Sequence, residues 1–283
     1  MHEHGMMTIC FIVIAVDFSH EYENLAFEKS TWQSTIYDPT VGSEKAVDGF
    51  KSDFSYSGKQ CSISKDNKKT ATWWVDLGRI LSINNIVIYY RTDGNTWNAS
   101  NYYTGRFLGF FIYVSNTTDR HVGHICFHDT YYTRSTIPPI VNISCPIHGR
   151  YVIYYNERLP DIHYPSEYSA DAYIELCEVE VYGCSMPRRY GPDCSLPCPL
   201  NCKEYCHMQT GICFECKPGK KGAFCEQDCD GRTYGLGCRL LCGNCFNSKQ
   251  CHHVNGSCFD GCDAGYKGPL CKTEKLFLAH YNY

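Results

Sequence analysis

Several things are scarce in this 283-residue chain. After Asp17 no run approaches 18 apolar residues, which excludes a helical membrane span over that stretch. Charge is nearly balanced, 26 basic against 30 acidic residues for a net −4, so there is no cationic excess to grip nucleic acid or anionic lipid. Gly-x-Ser-x-Gly, His-Glu-x-x-His, a Walker loop and a dinucleotide fingerprint are all missing, and no two carboxylates stand out as acid and base. The expectation is a protein that is not an enzyme. Between residues 184 and 271 only 14 of 88 residues are Val, Ile, Leu, Met, Phe or Trp, too few for a hydrophobic core of useful size.

What is abundant is cysteine. There are 21, and 16 of them fall between Cys184 and Cys271, a density that persists only in oxidising compartments. The first apolar run, Met6 to Val16, is too short to span a bilayer but fits a signal-peptide core, with Val13 and Ala15 as small residues before a cut. A leader over residues 1–15 would remove Cys10 and leave 20 cysteines, an even number. The chain is therefore expected to be secreted and extracellular. Glycosylation sequons at Asn98, Asn116, Asn142 and Asn255 agree with that, and the tail, 272–283, carries neither an anchor nor a lipidation signal, so no membrane insertion is expected of this form.

Residues 22–183 contain short aromatic and β-branched runs: Trp73–Leu77, Ile86–Tyr90, Phe110–Val114, Tyr151–Tyr155 and Tyr173–Tyr182. None keeps a 3.6-residue period, so they read as strands of an all-β domain, an antiparallel sandwich or barrel. In the last run Ile174 and Leu176 alternate with Glu175, as in a strand with one wet face. Residues 184–271 are an internal repeat: eight cysteines, Cys184, Cys194, Cys198, Cys202, Cys206, Cys213, Cys216 and Cys225, recur in order as Cys229, Cys238, Cys242, Cys245, Cys251, Cys258, Cys262 and Cys271. Cys213-x-x-Cys216 and Cys242-x-x-Cys245 have zinc-ligand spacing, but eight cysteines per repeat are too many for a four-ligand site. His121, His124 and His128 read as scattered surface histidines.

The repeat, with its Tyr-Gly-x-x-Cys and Cys-x-x-Gly-x-x-Gly-x-x-Cys flanks, resembles the laminin-type EGF modules of the multiple-EGF-domain scavenger and engulfment receptors. That resemblance implies the pairs Cys198–Cys206, Cys202–Cys213, Cys216–Cys225, Cys229–Cys238, Cys242–Cys251, Cys245–Cys258 and Cys262–Cys271, with Cys184–Cys194 closing a half-unit at the start. The calcium-binding EGF consensus is absent.

Residues 22–183 resemble the fucolectin-type, discoidin-like lectin domains, a galactose-binding-like jelly roll, through Asn24–Ala26, Ala46–Gly49, Trp73–Leu77 and Leu176–Gly183. The likeness implies disulfides Cys61–Cys177 and Cys126–Cys145, the first worth on the order of 4 to 5 kcal/mol in the loop-entropy account. It also implies a structural calcium ion on the carboxylates of Asp48 and Glu178, with carbonyls from Lys45, Phe50, Gln60 and Cys177, hard oxygen donors drawn from distant segments. For the sugar site, Arg91-Thr92-Asp93 matches the family's Arg-x-Asp, and Arg106 stands as the second basic residue after an insertion that brings Trp97, Tyr102 and Tyr103. The family histidine is replaced by Ile63, and the family's adjacent cysteine pair is missing. Two of three polar sugar contacts are thus expected to survive.

Two functions follow as expectations. The first is a secreted recognition protein whose head binds glycans, including those of cell-surface glycoproteins, above a stiff EGF stalk; a homo-oligomer would add avidity to weak single sites. The alternative is an adhesion or scavenger-type protein whose head contacts protein or lipid and has no sugar site.

Overall fold

The computed structural model describes residues 22–247 and 250–275; the leader expected at 1–15 and the tail after residue 275 lie outside them. The described residues form two regions that meet at Cys184.

The first region is a sandwich of antiparallel sheets, built from the β-branched and aromatic runs because alternate side chains of a strand face opposite ways. Its strands are β1 (Glu23–Asn24), β2 (Ser30–Gln33), β3 (Ser62–Ile63), β4 (Thr70–Tyr90), β5 (Phe111–Ser115), β6 (His124–His128), β7 (Ile140–Ser144), β8 (His148–Glu157) and β9 (Glu175–Cys184). The long β4 belongs to both layers. Its first half lies between β2 and β8, with β5 and β6 beyond β8. Its second half lies between β7 and β9, with β1 and β3 on the far side of β9. Trp73–Leu77 and Ile86–Tyr90, read from sequence as separate strands, are therefore parts of one strand of 21 residues. Asp76 and Gly78 look like turn residues, but Gly78 N donates to Asp76 Oδ1 at 2.8 Å within an irregularity of the ladder, and the strand continues.

The inner faces close on one core that includes Val75, Ile83, Ile86, Ile88, Val152, Val179 and Val181. Trp73 is fully buried there and its Nε1–H donates to the Ser43 carbonyl at 3.0 Å, the partner a buried indole needs. The insertion after Asn95 holds a short helix, α1 (Tyr102–Phe107), in a region expected to be strands alone. Asn101 caps it by accepting from Tyr103 N at 3.0 Å, and Phe107 stacks between Tyr90 and Phe110 at 4.1 and 4.5 Å. The all-β class stands, with this one helical turn packed onto the core.

The second region has four two-stranded hairpins: β10 (Arg189–Tyr190) with β11 (Leu196–Pro197), β12 (Lys220–Lys221) with β13 (Gln227–Asp228), β14 (Thr233–Tyr234) with β15 (Leu240–Leu241), and β16 (Tyr266–Lys267) with β17 (Thr273–Glu274). Eight disulfides cross it, Cys184–Cys194, Cys198–Cys206, Cys202–Cys213, Cys216–Cys225, Cys229–Cys238, Cys242–Cys251, Cys245–Cys258 and Cys262–Cys271. The sandwich carries Cys61–Cys177 and Cys126–Cys145. With each Cys-x-x-Cys thiol in a disulfide, no thiolate of those motifs is left to ligate zinc. Gly211 and Gly256, equivalent in the two repeats, lie so close under the rings of Tyr190 and Tyr234 that a Cβ would come within 2.4 to 2.5 Å of them. That contact explains why tyrosine and glycine recur together.

At the junction β9 runs into Cys184, Ser82 Oγ donates to the Arg189 carbonyl at 3.2 Å, and Gln209 Nε2 donates to Asn84 Oδ1 at 3.1 Å. The His148 ring stacks on Tyr205 at 4.7 Å. No helix among the described residues is long and apolar enough to cross a membrane.

Candidate functional site

Arg91 leaves the end of β4 and is nearly buried. Two residues on, Asp93 takes φ +57°, a left-handed turn that aspartate tolerates, and its Oδ1 accepts from Tyr56 N at 2.8 Å. The same oxygen receives Arg91 Nε and Nη2 at 3.1 and 2.8 Å. Arg106 approaches from α1, whose carbonyls are held from below: Arg158 Nη2 donates to Gly105 and Leu108, and Asn156 Nδ2 to Arg106 itself at 3.0 Å. Arg91, Asp93 and Arg106 therefore come together, and what joins them is a fourth residue. Glu175 Oε1 accepts from Arg91 Nη1 at 3.0 Å and from Arg106 Nη1 at 2.6 Å.

Glu175 corrects the alternation read from sequence. It was placed on the wet face of the last strand, yet it has no solvent exposure. At this end of β9 the would-be outer face is covered by Arg91 from the end of β4 and Arg106 from α1, with Ile63 of β3 alongside as cross-strand neighbour. A carboxylate survives such burial only when paired, and two guanidinium groups provide that. Burial pushes its carboxyl upward, against the pull of Arg106 and Arg91.

Above this ion cluster lies a pocket of about 170 Å³ lined by Tyr37, Tyr56, Ile63, Ser64, Asp66, Arg91, Tyr102, Tyr103, Arg106 and Glu175. Arg91 lies over the Tyr103 ring at 4.5 Å and Arg106 over Tyr173 at 4.0 Å, so aromatic faces hold both cations in place. Tyr102, about half exposed, stands at the mouth with its hydroxyl donating to that of Tyr103 at 2.9 Å. Ile63, at the position of the family histidine, contributes an apolar wall. Trp97 is different: its Nε1–H donates to the Ile137 carbonyl at 2.7 Å and its ring meets Tyr90, so it braces the insertion rather than lining the pocket. Tyr37, Tyr56 and Tyr173 were not foreseen as site residues, since nothing in their local sequence separates them from core tyrosines.

The residues expected around a metal also meet. Gly49 N donates to Glu178 Oε2 at 3.3 Å, which brings Asp48 and Glu178 side by side. Glu178 Oε1 is buried without a hydrogen-bond partner, and burial, reinforced by the charge of Asp48, pushes the carboxyl up to about 8. An orphaned carboxylate oxygen beside a second carboxylate offers hard oxygen donors of the kind calcium takes. Cys177 is the extra residue of a bulge between the Tyr89–Glu178 and Tyr90–Leu176 pairs, a position whose backbone is left out of the ladder. Phe50 N donates to Asp48 Oδ1, and the Gln60 side chain accepts from Ser52 N and Asp53 N, which orders the surrounding turn. Lys45 pairs with Asp48 at 3.3 Å and supplies part of the compensation. Among the described residues no group of three or more His, Cys, Asp or Glu could hold a metal, so carbonyls would have to complete the shell.

Asn98, Asn116, Asn142 and Asn255 are all exposed, and Asn142 Oδ1 accepts from Asn85 across the strand pair. His128 stacks on Phe111 at 3.7 Å, in keeping with a surface role for the histidines.

Residues 45–153 match the family model of the NedA-like, galactose-binding domain. Over these residues the first region is similar to galactose-binding domains. Among curated proteins, dendrite extension defective protein 1 of Caenorhabditis elegans is 35% identical over 62 residues, 22% of this chain and 5% of that protein. Human scavenger receptor class F member 2 is 42% identical over 41 residues, 14% of this chain and 5% of that protein. The matched stretches thus cover about a twentieth of each of these relatives' own length. Among solved structures, the lectin domain of lectinolysin complexed with Lewis B antigen aligns at TM-score 0.43 and 22% identity over 58% of this chain and 99% of that one.

Proposed function

We propose that the galactose-binding-like head is a glycan-recognition module and that its combining site is the pocket over Arg91, Glu175 and Arg106, presented outside the cell on the disulfide-bonded repeats. The observation that carries this reading is the convergence of two guanidinium groups and four tyrosines on one small concave site. Among the described residues Arg106 directs only Nη1 to a protein hydrogen bond, which leaves Nε and Nη2 to donate to sugar hydroxyls, while the half-exposed Tyr102 at the mouth offers ring surface to sugar C–H groups. A cavity of about 170 Å³ has room for a single sugar ring. Fucose recognition in the family's own manner lacks its histidine here, and losing one partner to a sugar hydroxyl costs about 1 to 3 kcal/mol.

Glycan-array binding of the full chain, with and without calcium, tests the reading. Tyr102→Ala, at the exposed mouth, should weaken the retained glycan about tenfold or more while leaving thermal stability unchanged. Retention of no glycan in either condition would leave the adhesion or scavenger-type reading. That alternative has one observation in its favour: the exposed Trp32 and Ile125 and the half-buried Trp74 and Tyr113 form a cross-strand apolar row over the buried Ile153, of the sort protein contacts use.

Calcium, bound by Asp48 and Glu178 with carbonyls of Lys45, Phe50, Gln60 and Cys177, would neutralise the orphaned carboxylate and tie the ends of the domain together. Calcium at 100 times its Kd should stabilise the protein by about 2.7 kcal/mol relative to a chelated sample, read as a rise in Tm, and Asp48→Asn should remove that increment.

A further inference from the structure

A pair of arginines in a pocket is ordinarily a receptor for carboxylate, sulfate or phosphate, because each planar fork can place two N–H donors on an oxyanion. In this pocket both guanidinium groups are already paired with carboxylates of the protein. Arg91 gives Nε and Nη2 to Asp93 and Nη1 to Glu175, and Arg106 gives Nη1 to the same Glu175 oxygen. Asp66 stands on the exposed rim. Two guanidinium charges thus face three carboxylates, and an anionic ligand would enter a site with no positive charge to spare.

A buried ion triad can be replaced by apolar residues of similar volume without loss of stability, and a carboxylate kept for structure would have both oxygens satisfied. Glu175 Oε2, fully buried, has no hydrogen-bond partner among the described residues. Ile63, where an imidazole could gain a positive charge, keeps that wall neutral. Resting on the glycan reading of this pocket, we infer that Glu175 is a specificity-determining residue: by pairing with both guanidinium groups it offsets their charge, restricts the site to uncharged sugars and excludes sialylated, uronic and sulfated ones. Hydroxyl recognition is untouched, since a hydroxyl needs only one of the N–H groups that remain on Arg106 and brings no charge to be repelled.

The test is equilibrium binding of the full chain to fucosyl- and galactosyl-terminated oligosaccharides alongside their sulfated and sialylated counterparts. The neutral member of each pair should bind at least tenfold tighter. Charged glycans that bind as well as neutral ones overturn the inference while leaving the glycan reading intact, whereas binding of no glycan at all overturns both. Glu175→Gln keeps the shape and removes the charge; it should cut the neutral-to-anionic ratio at least tenfold, with the anionic glycan gaining affinity outright. An equal loss for both classes shows a purely structural role and overturns the inference. Should Glu175→Gln fail to fold, Asp66→Asn on the rim decides instead: the ratio should fall severalfold at unchanged Tm, and an unchanged ratio counts against the proposal.

Discussion

The sandwich and the repeats both bury cysteine, but for opposite reasons. In the sandwich Cys61 and Cys177 join Val41 and Ile63 in a satellite cluster beside a main core of aliphatic and aromatic side chains. In the repeats the buried clusters consist of the cystines themselves with one tyrosine each: Tyr190 beside Cys198, Cys202 and Cys206, and Tyr234 beside Cys245 and Cys251. Sulfur does there what leucine and valine do in the head. A disulfide is thus an addition to one region and the substance of the other.

Full reduction under native conditions should break this contrast most visibly. Eight cross-links at about 2 to 4 kcal/mol each exceed the 5 to 15 kcal/mol that a domain ordinarily has to spare, so residues 184–275 should lose amide protection altogether in hydrogen exchange. The sandwich should keep a cooperative transition at lower Tm, and survival of protected repeats would refute the comparison. Trp73→Ala reverses the roles, with an expected loss of about 3 to 5 kcal/mol confined to the head and protection in the repeats unchanged. Acid probes the seam between the regions. Burial, followed by the nearby charge of His207, lowers His148 to about 4 from its ordinary 6.5. Its Nδ1 is buried without a hydrogen-bond partner, so protonation would add a donor with nowhere to point. The folded pKa lies below the unfolded one, so stability is complete above about pH 6.5 and is lost as pH falls toward 4, by about 3 kcal/mol at most. The Tm difference between the unmodified protein and His148→Phe, followed from pH 7.5 to 4, should trace that slope, since the opposite contribution of the raised Glu178 carboxyl is common to both.

The strands of the head were legible because β-branched and aromatic runs without helical period have few other ways to bury themselves, and the repeat was legible because cysteine spacing is discrete. Arg91 and Asp93 were recognisable as a motif. Glu175 was not: alternation assigns a face to each residue but cannot say which part of an outer face another segment covers. The single strand β4 escaped notice for a related reason, since Asp76 and Gly78 satisfy the local rules for a turn and only the partners on either side keep the chain extended. Trp97 and Tyr102 sit five residues apart in one insertion, yet one braces the core and the other borders the pocket.

Composition alone determined that this chain must divide into a cored region and a stapled one, because 14 apolar residues in 88 cannot exclude water and 16 cysteines can restrain what they cannot bury. Tertiary structure alone decided the charge of the pocket. Arg91, Arg106 and Glu175 are 69 to 84 residues apart where the carboxylate meets its partners, and an ion pair across such distances exists only once α1, β4 and β9 have closed around the same small volume and driven out the water between them.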